Sequence, residues 1–200
     1  MKSPDSSEKK RNSRYQAILN AAAKCFMEKG YHHANISDIA NEVGLLKGSI
    51  YYYIKSKEQL LAEIVFSAVD LYTKALSDIL TSNENADQVI KKAVIAHIHP
   101  IGIEYDFAYI FLNEMQNLSI EYRKEVNTQI ENYEKLWLEI VEKGKKEGIF
   151  KPELESRIVV LSIFGMCNWT SRWYRSTGKY NTKELGEMYA NIILDGIKAM

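Results

Sequence analysis

The sequence predicts an all-α protein of about nine helices, and three observations lead to this prediction. Apolar residues recur three and four positions apart along most of the 200 residues, which is the spacing of one face of a helix. Only three prolines and ten glycines interrupt the chain, and these are the strongest helix breakers. No stretch alternates apolar and polar residues as a half-buried strand would.

The first helix is predicted to begin near Arg11 and to end at Gly30. Its apolar stripe consists of Tyr15, Ile18, Leu19, Ala22, Cys25 and Phe26. Glycine is common immediately after a helix because it adopts the left-handed conformation without strain. Residues 1–10 precede the stripe and are polar and basic, so we expect them to form a flexible basic arm.

Two short helices and a long one are predicted next. Ser37 is the expected N-cap of the first short helix, and Gly44 provides the turn that follows it. The second short helix reads "KGSIYYYI". Ser56 and Gln59 have the spacing of a capping box, which predicts a long helix from this point to about Leu80.

Five further helices are predicted in the remaining chain. Polar segments or segments with glycine and proline separate them, as expected of helix ends and loops. The predicted helices cover residues 86–98, 103–117, 119–147, 154–177 and 182–199.

The net charge of zero conceals an uneven distribution of charge. Residues 1–60 contain ten Lys and Arg against six Asp and Glu, whereas residues 61–200 contain sixteen against twenty. A basic N-terminal third on an acidic remainder suggests that this end of the protein meets a polyanion.

The sequence disfavours several classes of protein. No apolar run approaches the roughly 18 to 20 residues that span a membrane, and the polar N-terminus lacks the apolar core of a secretion signal. Cys25 and Cys167 lie in apolar helical patterns, which predicts buried thiols in a cytoplasmic protein.

Catalysis and metal binding are not expected either. The chain has no ordered Ser, His and acidic residue and no Gly-rich nucleotide loop, so it is not predicted to be an enzyme or to need a cofactor. His97 and His99 are two positions apart and point to different sides of a helix. We therefore expect partly exposed histidines near a helix end and no metal site.

Residues 36–54 have the strongest functional pattern. Two short helices joined by a glycine turn cannot bury much surface alone, so each must pack on the helices before and after it. That is the geometry of a helix-turn-helix, whose second helix enters the major groove of DNA. The residues suited to contact DNA are Lys47, Gly48, Ser49, Tyr51, Tyr52 and Tyr53.

These residue types favour close approach to a duplex. Lys47 provides a cation, and Gly48 and Ser49 leave the backbone uncovered. The three tyrosines provide hydroxyls for phosphate oxygens and rings for sugars and thymine methyls. The alternative is that the tyrosine triplet is a packed aromatic cluster.

The segment "SDIANEVGLLKGSIYYYIKSKEQL", residues 37–60, resembles the helix-turn-helix of the TetR family of transcriptional regulators. The matching residues are Ser37, Ile39, Ala40, Gly44, Gly48, Tyr51, Ser56, Lys57, Glu58 and Leu60. The upstream segment "ILNAAAKCFMEKGYHHANI" resembles the first helix of the family. Leu46 and Ile54 depart from the pattern, since Ser and Phe are usual there.

This resemblance implies a homodimer that binds a pseudopalindrome of double-stranded operator DNA. It implies that Lys47, Gly48, Ser49 and Tyr52 face base edges and that Ser37, Tyr51, Tyr53 and Lys57 hold phosphates. Charge alone suggests that Lys9, Lys10, Arg11 and Arg14 add contacts. The expected domains are a basic arm (1–10), an N-terminal three-helix helix-turn-helix domain (11–56) and a C-terminal helical ligand-binding and dimerisation domain (57–200).

Residues 165–178, "GMCNWTSRWYRSTG", combine two tryptophans with two arginines. This segment resembles one branch of the family, regulators of fatty-acid and related degradation that acyl-coenzyme A (acyl-CoA) thioesters release from DNA. Ser171 and Ser176 depart from the branch pattern, which has Tyr and Pro there. Residues 113–150 also resemble the branch, with Ile120 where Pro is usual.

The resemblance implies an acyl-CoA effector, and the residue chemistry suits one. Arg172 and Arg175 have guanidinium groups for phosphates, and Trp169 and Trp173 have rings that stack on adenine or line the pantetheine. Apolar side chains would line a slot for the acyl chain. The candidate slot residues are Phe111, Met115 and Trp137, with Ile110 and Leu118.

Two alternatives remain open for this segment. In the first, the tryptophans belong to the dimer core and the arginines pair with acidic residues there. In the second, the effector is a different lipophilic molecule, such as a drug or a small metabolite.

Overall fold

The computed structural model describes residues 6–103 and 105–199, with side chains from residue 10 onward. Within these residues the regular elements are helices, so the predicted all-α class is confirmed. The α-helices are α1 (Ser6–Lys29), α2 (Ile36–Glu42), α3 (Lys47–Ile50), α4 (Lys57–Leu80), α5 (Ala86–Ile98), α6 (Pro100–Ile103), α7 (Tyr105–Glu114), α8 (Ile120–Lys146), α9 (Ser156–Trp173) and α10 (Thr182–Ile197). A single 3₁₀ turn, Met115–Asn117, follows α7.

Helix α1 begins at Ser6, five residues before the predicted start. Residues 6–10 are therefore helical, and only residues 1–5 of the expected arm lie outside the described residues. The prediction relied on apolar periodicity, which cannot detect an exposed first turn. Side chains 10–13 are all exposed, so nothing apolar marks these turns. Gly30 ends the helix with φ 76°, as predicted.

Helix α2 is capped by Asn35 and not by Ser37. The Asn35 side chain accepts a hydrogen bond from the backbone N–H of Asp38, and the Asp38 carboxylate accepts one from the N–H of Asn35. This reciprocal capping box satisfies two N–H groups. Gly44, with φ 65°, makes the predicted turn into α3.

Helix α3 is shorter than predicted. Lys47–Ile50 is helical, and residues 51–53 continue as turns. The N-cap residue, Leu46, makes no side-chain hydrogen bond, as its departure from the family's serine suggested. Ile50 is fully buried and fixes α3 against the helices beneath it.

Two hydrophobic cores divide the protein, and α4 belongs to both. Its first half, from Leu60 to Val65, packs with α1, α2, α3 and α7. Its second half packs Tyr72 and Leu76 with α5, α8, α9 and α10. A displacement of the second half of α4 would therefore be transmitted along the helix to the first core.

Small residues allow two close contacts in the C-terminal half. A Cβ atom on Gly186 of α10 would lie 2.8 Å from the Cα of Ile95 on α5. A Cβ on Gly144 of α8 would overlap the buried ring of Phe150. Both positions therefore require glycine, because any larger side chain would push the packing partner away.

Candidate functional site

Helix α3 presents an exposed surface of small and cationic residues. Lys47, Gly48 and Ser49 are all exposed, while Ile50 is the buried anchor. No atom outside the helix lies within 4 Å of the position of a Cβ on Gly48. The backbone of this helix is therefore accessible to a large ligand.

The tyrosine triplet divides into exposed and packed side chains. Tyr51 is 50% exposed and Tyr52 is 70% exposed. Tyr53 is half-buried against the first core, and its ring meets Tyr52 edge-on at 5.1 Å between centroids. Tyr51 and Tyr52 thus present their rings and hydroxyls to solvent, and Tyr53 packs against Tyr52.

Basic side chains of α1 lie next to this surface. Lys10, Arg11 and Arg14 line a cavity of about 780 Å³ together with Tyr52 and Tyr53. The guanidinium carbon of Arg11 lies 5.6 Å from the centre of the Tyr52 ring, a cation–π distance. Arg14 donates a 2.7 Å hydrogen bond to the carbonyl of Val43 and so joins α1 to the end of α2.

Lys57, a predicted phosphate contact, binds backbone carbonyls of its own chain. Its ammonium donates to the carbonyls of Tyr31 at 2.8 Å and Ala34 at 3.0 Å and lies over the Tyr31 ring. Burial lowers the pKa of this group. Lysine has three N–H donors, and the turn after α1 engages them, so Lys57 holds the helices of the first core together.

The residue after Lys57 joins the start of α4 to the N-terminus of α8. The Glu58 carboxylate accepts a 2.6 Å hydrogen bond from the backbone N–H of Ser119, the N-cap residue of α8. Ser37, the other predicted phosphate contact outside α3, is half-buried in the first turn of α2.

The seven residues predicted to bind an effector do not form one pocket. Trp169 is 66% exposed, Trp173 is 44% exposed, and Arg172 is exposed on the same outward face of α9. Trp137, a predicted slot residue, is fully buried in the second core. Its ring is enclosed by other rings, which the sequence did not reveal.

The remaining predicted effector residues differ in position. Met115 is half-buried against the first core, and Phe111 is half-buried where the two cores meet. Arg175 donates to the carbonyl of Tyr174 at 2.8 Å and lines a cavity of about 330 Å³. The other residues of that cavity are Ile101, Gly102, Tyr105, Tyr174 and Ser176.

A buried aromatic cluster lies inside the second core, which we call the His97 cluster. Its members are Tyr72, His97, Phe111, Tyr133, Trp137 and Phe164. His97 stacks on Phe164, with ring centroids 5.3 Å apart and planes 9° apart. The prediction of a partly exposed His97 was wrong, because this side chain is 5% exposed.

Burial keeps His97 neutral, and two hydrogen bonds fix which ring nitrogen carries the hydrogen. Its Nδ1 lies 2.7 Å from the Tyr133 hydroxyl and its Nε2 lies 2.9 Å from the Asn168 side-chain oxygen. Because that amide oxygen can only accept, Nε2 carries the hydrogen and Nδ1 accepts from Tyr133. Burial lowers the pKa of His97 to about 4, against a smaller opposing effect of the Asn168 bond.

An apolar stripe remains uncovered on the last two helices. On α9 the exposed stripe includes Ile158, Leu161, Gly165 and Trp169, and on α10 it includes Met188, Ile192 and Gly196. Exposed apolar surface of this extent usually marks an interaction site.

Two family profiles match the chain. Residues 83–197 match "Tetracyclin repressor-like, C-terminal domain", and residues 18–64 match "Bacterial regulatory proteins, tetR family". The chain belongs to the TetR family. It is therefore a DNA-binding transcriptional repressor of the TetR type, as the helix-turn-helix pattern predicted.

Characterised relatives extend over nearly the whole chain. The HTH-type transcriptional repressor KstR2 of Mycobacterium tuberculosis is 30% identical over 188 residues, which cover 93% of this chain and 94% of the relative. The fatty acid metabolism regulator protein of Bacillus subtilis is 24% identical over 190 residues, which cover 94% and 98%.

Solved structures share the fold. The ketosteroid transcriptional regulator KstR2 of Mycobacterium tuberculosis superimposes with a TM-score of 0.87 at 28% identity, covering 94% of this chain and 97% of that one. AibR, solved in complex with isovaleryl coenzyme A and operator DNA, gives 0.82 at 22% identity, covering 90% and 97%. At 22% identity the likeness to AibR concerns the fold alone.

Two features are absent from the described residues. None of the helices in residues 6–103 and 105–199 combines the length and apolarity that crossing a bilayer requires. Over the same residues, no group of three His, Cys, Asp or Glu side chains is positioned to hold a metal ion.

Proposed function

We propose that this repressor leaves its operator when it binds an acyl-CoA, and that it controls fatty-acid or related acyl-CoA degradation. The observation that carries the proposal is the end of α9, where Arg172, Trp173 and Arg175 reach solvent. Neither arginine takes part in a salt bridge among the described residues. Two guanidinium groups without a carboxylate partner in the described part of the chain, beside an indole, suit the phosphates and adenine of coenzyme A.

The regulatory relatives support the same class of effector. One is named for fatty acid metabolism and another for ketosteroid regulation. The first name fits the proposed effector directly, because a fatty acid supplies the acyl group of an acyl-CoA. A repressor of this kind acts on chromosomal DNA, so the proposal places the protein in the cytoplasm.

The DNA-binding surface in this proposal combines α3 with the basic groove beside it. Lys47, Ser49 and Tyr52 read base edges, and Tyr51 holds a phosphate together with Arg11 of α1. Tyr53 and Ser37 are then supporting contacts at the edge of the surface. Phosphate contacts fix the register, and contacts to base edges select the sequence.

A homodimer completes the proposed repressor. The uncovered stripe on α9 and α10 would pack against its copy, and Gly165 and Gly196 would allow close approach because nothing lies within 4 Å of either Cβ position. Two copies of α3 would then read half-sites of a pseudopalindrome, about 34–36 Å apart.

Coupling in this proposal runs through α4. An effector that moves α8 or α9 shifts the second half of α4 and, through Glu58, the start of that helix. Because operator affinity requires both half-sites, a small change in the separation of the two α3 helices weakens binding.

A lipophilic effector without coenzyme A is the second candidate. A groove of about 390 Å³ lies between α4, α5 and α6, and its exposed surface is almost entirely apolar. Its lining residues include Leu71, Ile79, Ile95 and Ile103. Such a groove suits a drug-like molecule or an uncharged metabolite.

The proposal is tested by titrating the protein–operator complex with acyl-CoA thioesters of increasing length and with free coenzyme A. We expect release by thioesters at micromolar concentration in an electrophoretic mobility shift assay. Arg172→Ala with Arg175→Ala should keep operator binding and lose release. Arg157→Ala is the matched control, since Arg157 lies at the other end of α9 and pairs with Glu134.

Three results decide between the candidates. Release by lipophilic compounds but not by thioesters favours the second candidate. Release by neither contradicts effector control. An unchanged response of the double arginine variant contradicts the assignment of the α9 end.

A further inference from the structure

Two polar atoms in the His97 cluster have no hydrogen-bond partner among the described residues. They are the hydroxyl oxygen of Tyr72 and the indole nitrogen of Trp137. Tyr72 is 4% exposed and Trp137 is fully buried. Native proteins rarely leave such groups unpaired, so each one calls for an explanation.

The His97 ring nitrogens are already committed, and the Tyr133 hydroxyl lies near the Trp137 indole without making a hydrogen bond of regular geometry to it. His97 uses both ring nitrogens, one with Tyr133 and one with Asn168. The Tyr72 ring lies 5.1 Å from the His97 ring and 6.0 Å from the Tyr133 ring between centroids, without a bond to either. A phenylalanine at position 72 would fill the same place without an unpaired hydroxyl.

Both unpaired atoms can donate a hydrogen bond, and the indole N–H can do nothing else. A molecule that pairs with them must therefore present an acceptor. A carbonyl oxygen is an acceptor without a hydrogen of its own, and it is small enough to enter between rings.

The edge of the cluster is formed by Phe111 and Phe164, whose rings are half-buried. An effector would enter the cluster past these two rings. Asn168 also belongs to α9, and Arg172 follows it by one helical turn. A molecule anchored at Arg172 by phosphates is thus close to the polar side of the cluster.

We propose that a carbonyl oxygen of the effector accepts a hydrogen bond from the Tyr72 hydroxyl inside the His97 cluster, beside the Trp137 N–H. This inference rests on the proposed acyl-CoA effector and identifies where its acyl end binds. The oxygen belongs either to the thioester or to a ketone on the acyl chain. In both cases Tyr72 distinguishes a carbonyl from a hydrocarbon of equal size, because a hydrocarbon leaves the buried donors unpaired.

The experiment compares Tyr72→Phe with the wild type in calorimetric titrations. Three compounds of equal chain length serve as probes: octanoyl-CoA, 7-oxooctanoyl-CoA and the thioether S-octyl-CoA, which has no carbonyl. Tyr180→Phe is the matched control, because Tyr180 is exposed and outside the cluster.

We expect the wild type to bind at least one carbonyl compound roughly tenfold more tightly than the thioether, and Tyr72→Phe to lose that preference. If Tyr72→Phe loses the preference for both carbonyl compounds, the acceptor is the thioester oxygen. If it loses the preference for the oxo compound alone, the acceptor is the chain ketone. The variant should also melt at or above the wild-type temperature, because it lacks a hydroxyl without a protein partner.

Two other results overturn the inference. If Tyr72→Phe binds all three compounds as the wild type does, Tyr72 does not recognise a carbonyl, and the proposed function is unaffected. If the wild type binds none of them, the acyl-CoA effector is wrong and this inference fails with it.

Discussion

The carboxylate of Glu58 and the backbone N–H of Ser119 form a 2.6 Å hydrogen bond across 61 residues of sequence. Glu58 lies in the first turn of α4, directly after Lys57, which holds the turn behind α1. Ser119 caps α8, a helix of the half that we propose binds the effector. One short segment thus connects the DNA-binding helices to the helix that leads into the His97 cluster.

The first prediction concerns this connection. Glu58→Ala should keep operator binding but require at least fivefold more effector for release, because part of the coupling between the two halves is lost. The lost bond should also lower the free energy of unfolding by about 1–2 kcal/mol. Fluorescence anisotropy of labelled operator, titrated with effector, measures the release.

Glu58→Gln is the control for this experiment. Its amide oxygen can still accept from Ser119, so its release curve should stay close to that of the wild type. If Glu58→Ala and the wild type release at the same effector concentration, the hydrogen bond does not transmit the signal.

The second prediction separates the roles of two lysines. Lys57→Met should lower the free energy of unfolding by about 1.5–3 kcal/mol, because it removes a charged donor from buried carbonyls. It should leave the salt dependence of operator binding unchanged. Lys47→Met should leave the free energy of unfolding unchanged. It should reduce the slope of log K against log salt by about 0.9 if Lys47 neutralises one phosphate.

Urea unfolding and binding at several salt concentrations measure both quantities. A reduced slope for Lys57→Met would restore the phosphate role that the sequence suggested. An unchanged slope for Lys47→Met would remove that lysine from the phosphate contacts.

Sequence patterns predicted helix ends well where one residue had a clear capping role. Ser56 accepts from the N–H of Gln59, as the spacing of these two residues predicted. The N-terminus of α2 was wrongly assigned because Asn35, two residues before Ser37, competes for the cap, and Asp38 at its N3 position decides in its favour.

The candidate DNA-binding surface could be proposed from the sequence because most of its residues are contiguous, whereas the His97 cluster could not. His97 bonds to residues 36 and 71 positions away, and its neighbours belong to four other helices. Local periodicity shows that each of these residues is apolar or amphipathic. It cannot show that they meet, because this depends on how the helices cross.

The third prediction tests the proposed dimer. Ile192→Glu inserts a charge into the uncovered stripe on α10, so it should yield a monomer whose operator affinity falls at least a hundredfold. Ile103→Glu is the matched control, since Ile103 is similarly exposed but lies outside the stripe. Sedimentation velocity gives the mass of each variant, and a dimeric Ile192→Glu would mean that another surface mediates pairing.

The fourth prediction follows from the buried histidine. In the folded protein the pKa of His97 is about 4, and an unfolded histidine titrates near 6.5. Between these values the unfolded chain binds the proton and the folded protein does not, so stability falls as the pH drops from 7 toward 4. At pH 5 the loss from this group is roughly 2 kcal/mol relative to pH 7.

The groups around His97 do not titrate in this range, so the effect can be assigned to one residue. Burial raises the pKa of Cys167 to about 12 and raises the pKa values of Tyr72 and Tyr133 further above neutrality. His97→Gln removes the titrating ring. The difference in unfolding free energy between pH 7 and pH 5 should therefore be about 2 kcal/mol smaller in this variant than in the wild type. Equal pH dependence of the two proteins would show that the imidazole is protonated in the folded state and that the His97 cluster is open to water.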